Sequence, residues 1–151
     1  SLQLASEFAA RDVANSLWAV ARLKEVMLDE LMEKLCARLE HVVSAANAQE
    51  VANSLWAMAT VQSSDGTAAH RFISFPPGLW PCLQHSILEL MSTFNAQNVS
   101  NIVWAVGKLR RSVTPSSGNC IGDRRFLQAL EGHASSVAQH LTAQGLTNVL
   151  W

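Results

Sequence analysis

The chain has 151 residues, of which 49% are hydrophobic and 15% are charged, a composition that indicates a folded domain and excludes a disordered chain. Its apolar runs are short and interrupted by polar residues, so no segment of the sequence is predicted to span a bilayer. The formal net charge of −1 provides no global attraction to nucleic acid or acidic lipid, and three cysteines without a CxxC pair argue against a disulfide framework.

One phrase, built around a tryptophan, recurs four times along the chain. It occurs as FAARDVANSLWAVARL at 8–23, ANAQEVANSLWAMATV at 46–61, FNAQNVSNIVWAVGKL at 94–109 and LTAQGLTNVLW at 141–151. The tryptophans are 38, 48 and 47 residues apart, and an asparagine stands three residues before each one. These spacings predict internal repeats with a basic unit of 38 residues.

Each unit contains two amphipathic patterns, so every repeat is predicted to be a pair of helices. In the first unit, Val13, Leu17 and Trp18 recur at the spacings of one helix face. The second-helix patterns cover 28–44, 76–94 and 123–141.

Capping residues mark several helix starts. Asn47 followed by Glu50 forms a capping-box pattern, and Asn95 occupies the same position in the next unit. Ala9 stands at the equivalent position of the first unit and has no capping side chain, so we expect a weaker helix start there. Asp123 is the predicted N-cap of the last complete second helix.

Stacked helix pairs bury their apolar faces against each other, so we expect an all-α fold, a right-handed α-solenoid of helix-turn-helix repeats. The expected organisation is the end of a preceding repeat at 1–8, repeats at 9–46, 47–94 and 95–141, and the start of a further repeat at 142–151. Stretches rich in Ser, Gly, Thr and Pro predict loop insertions at 63–78 and 112–123. Neither end carries a polar cap, so we expect that 1–151 is one segment of a longer repeat protein, or that something else covers its exposed ends.

The tryptophan phrases resemble a known repeat family at 13–19, 51–57, 99–105 and 146–151. They are similar to the octotricopeptide repeat, a helical-pair repeat of organellar RNA-binding proteins, and to the related heptatricopeptide repeat. PPGLW at 76–80 resembles that family's Pro-Pro-Pro-Glu-Trp signature with two of five letters changed, whereas LDELM at 28–32 and DRRFL at 123–127 depart from it. The resemblance covers nearly the whole chain apart from the two loops.

This resemblance implies RNA binding in a mitochondrion or chloroplast. Proteins of this kind belong to ribonucleoproteins such as the organellar ribosome, or act in transcript maturation or translation. The resemblance also implies that each repeat addresses about one nucleotide, as in other helical repeats with a one-base code.

The first helices carry a row of polar residues on the side opposite Leu17, and this row supplies the first set of RNA-binding candidates. Its members, in chain order, are Asp12, Asn15, Arg22, Glu50, Asn53, Thr60, Asn98, Asn101, Lys108 and Asn148. Residues that change between copies at constant spacing are typical of a base-reading code. Two other interpretations stay open: an ordinary solvated face, and asparagines that bond a neighbouring helix or loop.

Basic residues at equivalent helix ends are the second set of candidates. Besides Arg22 and Lys108, they are Arg110, Arg111, Arg124 and Arg125. A stripe of cations could track a phosphate backbone, but the helix dipole also favours cations at a helix C-terminus without any ligand. Arg124 and Arg125 open a helix and have no such explanation.

The repeated tryptophans and Trp80 are predicted to lie in the core, because the indole is the largest side chain available to fill gaps between units. No nucleophile elbow, phosphate loop or paired-carboxylate site is present, so we expect neither an enzyme nor a cofactor. Cys82 and His85 lie one turn apart without a second pair of ligands, so no metal is expected.

A protein-interaction scaffold is the alternative function. Such a protein would hold other protein subunits of a large organellar complex without contacting RNA. The nearly neutral net charge and the two insertions favour it, whereas the changing polar row and the family resemblance favour RNA.

Overall fold

The computed structural model describes residues 7–23, 29–62, 73–112, 121–140 and 143. Every regular element within these residues is a helix, so the predicted all-α class is confirmed. None of the described helices is both long enough and apolar enough to cross a membrane. Asn148, the predicted loop residues 63–72 and 113–120, and most of both predicted terminal repeats lie outside the described residues.

The described residues form six α-helices, which correspond in alternation to the predicted first and second helices of the repeats. The first helices are α1 (Ala10–Leu23), α3 (Ala48–Gln62) and α5 (Ala96–Ser112). The second helices are α2 (Asp29–Val42), α4 (Leu79–Leu90) and α6 (Arg124–Val137). Each second helix continues into a three-residue 3₁₀ turn, at Val43–Ala45, Met91–Thr93 and Ala138–His140.

Complete capping boxes begin α3 and α5. The side-chain oxygen of Asn47 accepts the N–H of Glu50 at 3.0 Å, and the Glu50 carboxylate accepts the N–H of Asn47 at 2.9 Å. Asn95 and Asn98 exchange the same pair of bonds at 2.8 and 3.2 Å. The predicted capping box is therefore confirmed, and its hydrogen bonds satisfy backbone donors that a helix start leaves open.

The starts of α1 and α6 also agree with the predictions. Asp12 accepts the N–H of Ala9 at 3.2 Å, but the Ala9 methyl group cannot accept a hydrogen bond in return, so α1 has only half of a capping box. The Asp123 carboxylate accepts the N–H of Phe126 at 2.8 Å and caps α6.

The start of α4 differs from its predicted position by three residues. Pro76 and Pro77 precede the helix, Gly78 is the N-cap and the helix begins at Leu79. The N–H of Leu79 donates to the carbonyl of Pro76 at 3.1 Å, so the prolines form a turn that leads into the helix. Pro81 lies in the first turn, where its missing N–H removes no intrahelical bond.

The first helices pack side by side in chain order. α3 contacts α1 and α5, and each first helix also contacts the second helix of its own repeat. The second helices follow the same order, because α4 contacts both α2 and α6.

One apolar core joins the first and second helices. Leu17, Leu35 and Leu55 are fully buried in α1, α2 and α3 respectively. Trp80 is 9% exposed, as predicted, and its ring meets Phe126 edge to face at 6.0 Å between centroids.

Candidate nucleic-acid interface

The side of α1 opposite its buried residues Val13 and Val20 carries a stripe of exposed side chains. The stripe consists of Arg11, Asn15, Trp18 and Arg22. Steps of four, three and four residues keep side chains on one face of an α-helix. Trp18 is 44% exposed, so the prediction that it lies in the core is wrong. Successive residues of an α-helix point about 100° apart. The Trp18 indole is therefore turned away from the neighbouring Leu17 and lies on the same side of the helix as Asn15.

The same stripe recurs on the other two first helices. It consists of Gln49, Asn53, Trp56 and Thr60 on α3, and of Gln97, Asn101, Trp104 and Lys108 on α5. None of these eight residues is buried. We call the twelve residues of the three stripes the outer face. Because α3 contacts both α1 and α5, the stripes lie on neighbouring helices.

Trp56 and Trp104 are less exposed than Trp18. Both are half-buried and pack against the core, so the prediction of a core position holds for them only in part. An indole that packs against the core on one side and reaches solvent on the other is held in place by the fold.

The outer face is locally positive although the chain as a whole is not. Its twelve residues include Arg11, Arg22 and Lys108 and no carboxylate. Arg111 extends the α5 stripe by one further turn and is exposed. The guanidinium carbon of Arg22 lies 5.4 Å from the centroid of the Trp18 ring, and Lys108 Nζ lies 5.8 Å from that of Trp104. These are cation–π distances.

The asparagines of the outer face have uncommitted side chains. In the described part of the chain, the amides of Asn15, Asn53 and Asn101 make no hydrogen bond. Asn15 is exposed and the other two are half-buried. Each amide therefore keeps one carbonyl acceptor and two N–H donors for a ligand. Asn148 lies outside the described residues.

The residues that begin the predicted row have a structural role. Asp12, Glu50 and Asn98 each accept the backbone N–H of the residue three positions earlier, at 3.2, 2.9 and 3.2 Å. Asn98 is only 7% exposed. Their variation between copies is therefore compatible with the capping box alone, which tolerates several side chains at this position.

The structure divides the predicted cations into two groups. Arg22, Lys108 and Arg111 lie on the side of the first helices that carries the tryptophans. Arg110 instead donates to the carbonyl of Gly122 at 3.4 Å. Arg124 and Arg125 are exposed in the first turn of the second helix α6.

Two other kinds of site are relevant to the described residues, a metal site and a reactive cysteine. No group of three or more His, Cys, Asp and Glu side chains there is arranged to hold a metal ion. Cys36 is buried in α2, and burial, with the Glu33 carboxylate nearby, raises the pKa of its thiol to about 12. Its thiol therefore stays protonated near neutral pH and is a poor nucleophile.

Comparison with known proteins adds no assignment, because no protein-family model matches the chain and no curated protein matches it significantly. The octotricopeptide resemblance therefore depends on the tryptophan phrases and the PPGLW segment alone.

The surface position of Trp18 and the partial exposure of Trp56 and Trp104 were missed from the sequence, although a signal was present. An asparagine stands three residues before each tryptophan, and a cation stands four residues after Trp18 and Trp104. Spacings of three and four residues bring side chains to one helix face, so the indoles belong with these polar residues.

Proposed function

We propose that this protein binds RNA along its outer face, as an organellar helical-repeat protein. It would act in a ribonucleoprotein such as the mitochondrial or chloroplast ribosome, or as a transcript maturation or translation factor. One observation carries the proposal: equivalent asparagine amides on three neighbouring helices make no hydrogen bond in the described residues. An amide can donate to and accept from the edge of one base, so equivalent amides suit a chain of nucleotides.

The proposed architecture is the right-handed α-solenoid expected from the repeats, with units at 9–46, 47–94 and 95–141. Side-by-side first helices and side-by-side second helices are the contacts that such a stack requires, and they support it. A stack of this kind presents equivalent residues at regular intervals along one surface. That regularity matches a linear polymer better than a compact ligand.

Local charge supports the proposal where the net charge of −1 does not. Several acids lie on the second helix α2, including Glu30, Glu33 and Glu40, whereas the first helices carry five cations and two acids, Asp12 and Glu50, whose carboxylates accept backbone N–H bonds at the helix starts. At moderate salt a phosphate group is attracted mainly by charges within about 10 Å. The local charge of the binding surface therefore matters more for RNA binding than the net charge of the chain.

A salt series with two charge-matched variants tests the proposal. Binding of the purified protein to total organellar RNA is measured at increasing salt for the wild type and both variants. The outer-face variant carries Arg11→Ala, Arg22→Ala and Lys108→Ala. The control carries Lys34→Ala, Arg124→Ala and Arg125→Ala, which removes the same charge from the second helices α2 and α6.

We expect the affinity of the wild type to fall steeply with salt. Each lost phosphate contact with single-stranded RNA lowers the slope by about 0.7, so the outer-face variant should lose about two units of slope. The control variant should keep the wild-type slope. Absence of salt-dependent binding by the wild type, or equal slopes in the two variants, contradicts RNA binding at this face.

The second candidate function is the protein-interaction scaffold, and the flank of α1 favours it. Ala19 and Leu23 are exposed, and Leu23 is 62% exposed. The equivalent residues of α3, Ala57 and Val61, are buried. This flank of α1 therefore suits packing by another helix, either from a further repeat or from a protein partner. The salt series separates the two candidates, because a scaffold without RNA contact shows no RNA binding at any salt concentration.

A further inference from the structure

Three indoles lie on the outer face, and the proposed phosphate and amide contacts do not involve them. We infer that Trp18, Trp56 and Trp104 are stacking platforms for the unpaired bases of single-stranded RNA. This inference rests on the proposed function and adds to it the structural class of the RNA and three further binding residues.

The first support is the pairing of indoles with cations. Arg22 lies 5.4 Å from the Trp18 ring centroid and Lys108 lies 5.8 Å from that of Trp104. Sites for single-stranded nucleic acid combine these two groups, because the ring stacks on a base while the cation attracts the adjacent phosphate. In α3 the residue at this position is Thr60, which carries no charge, so this support comes from α1 and α5.

The second support is the uncommitted amide beside each indole. Asn15, Asn53 and Asn101 precede Trp18, Trp56 and Trp104 by three residues and so lie one turn away on the same face. A base stacked on the indole brings its hydrogen-bonding edge toward that amide. Stacking on an aromatic side chain together with contacts to the base edge is how proteins recognise single-stranded RNA.

The distance between neighbouring first helices favours an RNA strand whose bases are not stacked on each other. The axes of packed helices are about 8–10 Å apart, whereas stacked bases follow each other at about 3.4 Å. Bases that occupy indoles on neighbouring helices therefore cannot also stack on each other. A duplex cannot meet this requirement, because its bases are paired and stacked, whereas a single strand can splay its bases apart.

The composition of the outer face favours RNA over a protein partner. Apart from the three indoles, its residues are arginine, lysine, asparagine, glutamine and threonine, with no aliphatic side chain. The buried centre of a protein–protein interface is depleted in charged residues and more apolar than this.

The test measures binding of three RNA probes by tryptophan fluorescence and by a second, label-based titration. The probes are single-stranded oligouridine, an abasic oligomer with the same number of phosphates, and an RNA duplex of the same length. The protein is compared with Trp18→Ala, Trp18→Phe and the control Leu88→Ala. Leu88 is a suitable control because it is 42% exposed and lies on the second helix α4. Circular dichroism verifies that each variant is folded.

We expect oligouridine to quench the fluorescence of the wild type and to bind more tightly than the abasic oligomer and the duplex. Trp18→Ala should weaken oligouridine binding by about 5- to 100-fold, because stacking is lost. Trp18→Phe should retain most of the affinity with a smaller quenched fraction, and Leu88→Ala should bind as the wild type does.

The results distinguish failure of the inference from failure of the proposed function. If the abasic oligomer binds as tightly as oligouridine, without quenching, and Trp18→Ala binds normally, stacking is overturned while RNA binding stands. If none of the probes binds at any salt concentration, both are overturned, and the outer face belongs to a protein partner.

Discussion

At the scale of one residue, Cys36 shows how burial in the core changes the pKa of a side chain. Its side chain is 0% exposed within the core, and burial raises the pKa of its thiol from 9.0 to about 12. The folded protein thus keeps a proton that the unfolded chain releases above about pH 9. The stabilisation from the buried neutral thiol is complete below pH 9 and is lost as the pH rises toward 12.

We expect the free energy of unfolding to fall by about 1.4 kcal/mol per pH unit for this residue between the two pKa values. Denaturant unfolding from about pH 8 to pH 10 measures the slope. Cys36→Ala provides the control, because its stability should be lower at neutral pH but less dependent on alkaline pH. Equal slopes for the wild type and the variant contradict the buried-thiol interpretation.

Substitution by alanine should have opposite effects on stability at two glycines, Gly122 and Gly107. Gly122 has φ +76°, and an added Cβ would lie 2.9 Å from Cδ1 of Phe126. Gly107 lies inside α5, and a Cβ there would meet nothing within 4 Å. Gly122→Ala should therefore cost about 1–3 kcal/mol, and Gly107→Ala should add about 1 kcal/mol. Denaturant titrations of both variants measure this, and a shift in the same direction for both contradicts the conformations described.

At the scale of the helix, the capping boxes explain why α3 and α5 begin where they do. Asn47→Ala removes the acceptor for the N–H of Glu50 and should cost about 1 kcal/mol of unfolding free energy. Ala9→Asn should have the opposite effect, because Asp12 already provides the other half of the box. Thermal unfolding of the two variants measures the shifts. An Ala9→Asn protein no more stable than the wild type would show that α1 does not gain from a complete box.

Features fixed by local chemistry could be predicted from the sequence. The caps at Asn47 and Asp123 follow from one side chain and the next turn of backbone. The start of α4 was harder, because Pro76 and Pro77 suit the first turn of a helix and also a turn before it. The conformation of Gly78, which lies between the prolines and Leu79, decides between these possibilities, and residue type alone does not determine it.

The candidate site was only partly predictable. The asparagines and the cations Arg22 and Lys108 were identified from their repetition. Trp18 was assigned to the core on the basis of its size, whereas its exposure depends on the angle between it and Leu17. The capping role of Asn98 was missed because a capping amide and a base-reading amide have the same chemistry.

At the scale of the whole molecule, the side-by-side packing of the first helices predicts that the same substitution changes stability differently at equivalent positions. Ala57 in α3 and Ala105 in α5 are fully buried, whereas Ala19 in α1 is exposed. Ala57→Leu should overpack the helix row and cost about 1–3 kcal/mol. Ala19→Leu should change stability by less than about 0.5 kcal/mol, because alanine and leucine have similar helix propensities and no described helix covers this side chain. Denaturant unfolding measures the stability of the two variants. Equal losses of unfolding free energy would contradict the side-by-side packing of the first helices.

The claim that RNA lies across the first helices also belongs to the whole molecule. UV cross-linking of the purified protein to single-stranded oligouridine, followed by mass spectrometry of the cross-linked peptides, tests it most directly. We expect cross-links in α1, α3 and α5, concentrated at Trp18, Trp56 and Trp104, and none in α2, α4 and α6. Cross-links confined to the second helices, or no cross-link at any RNA concentration, would contradict RNA binding at the outer face.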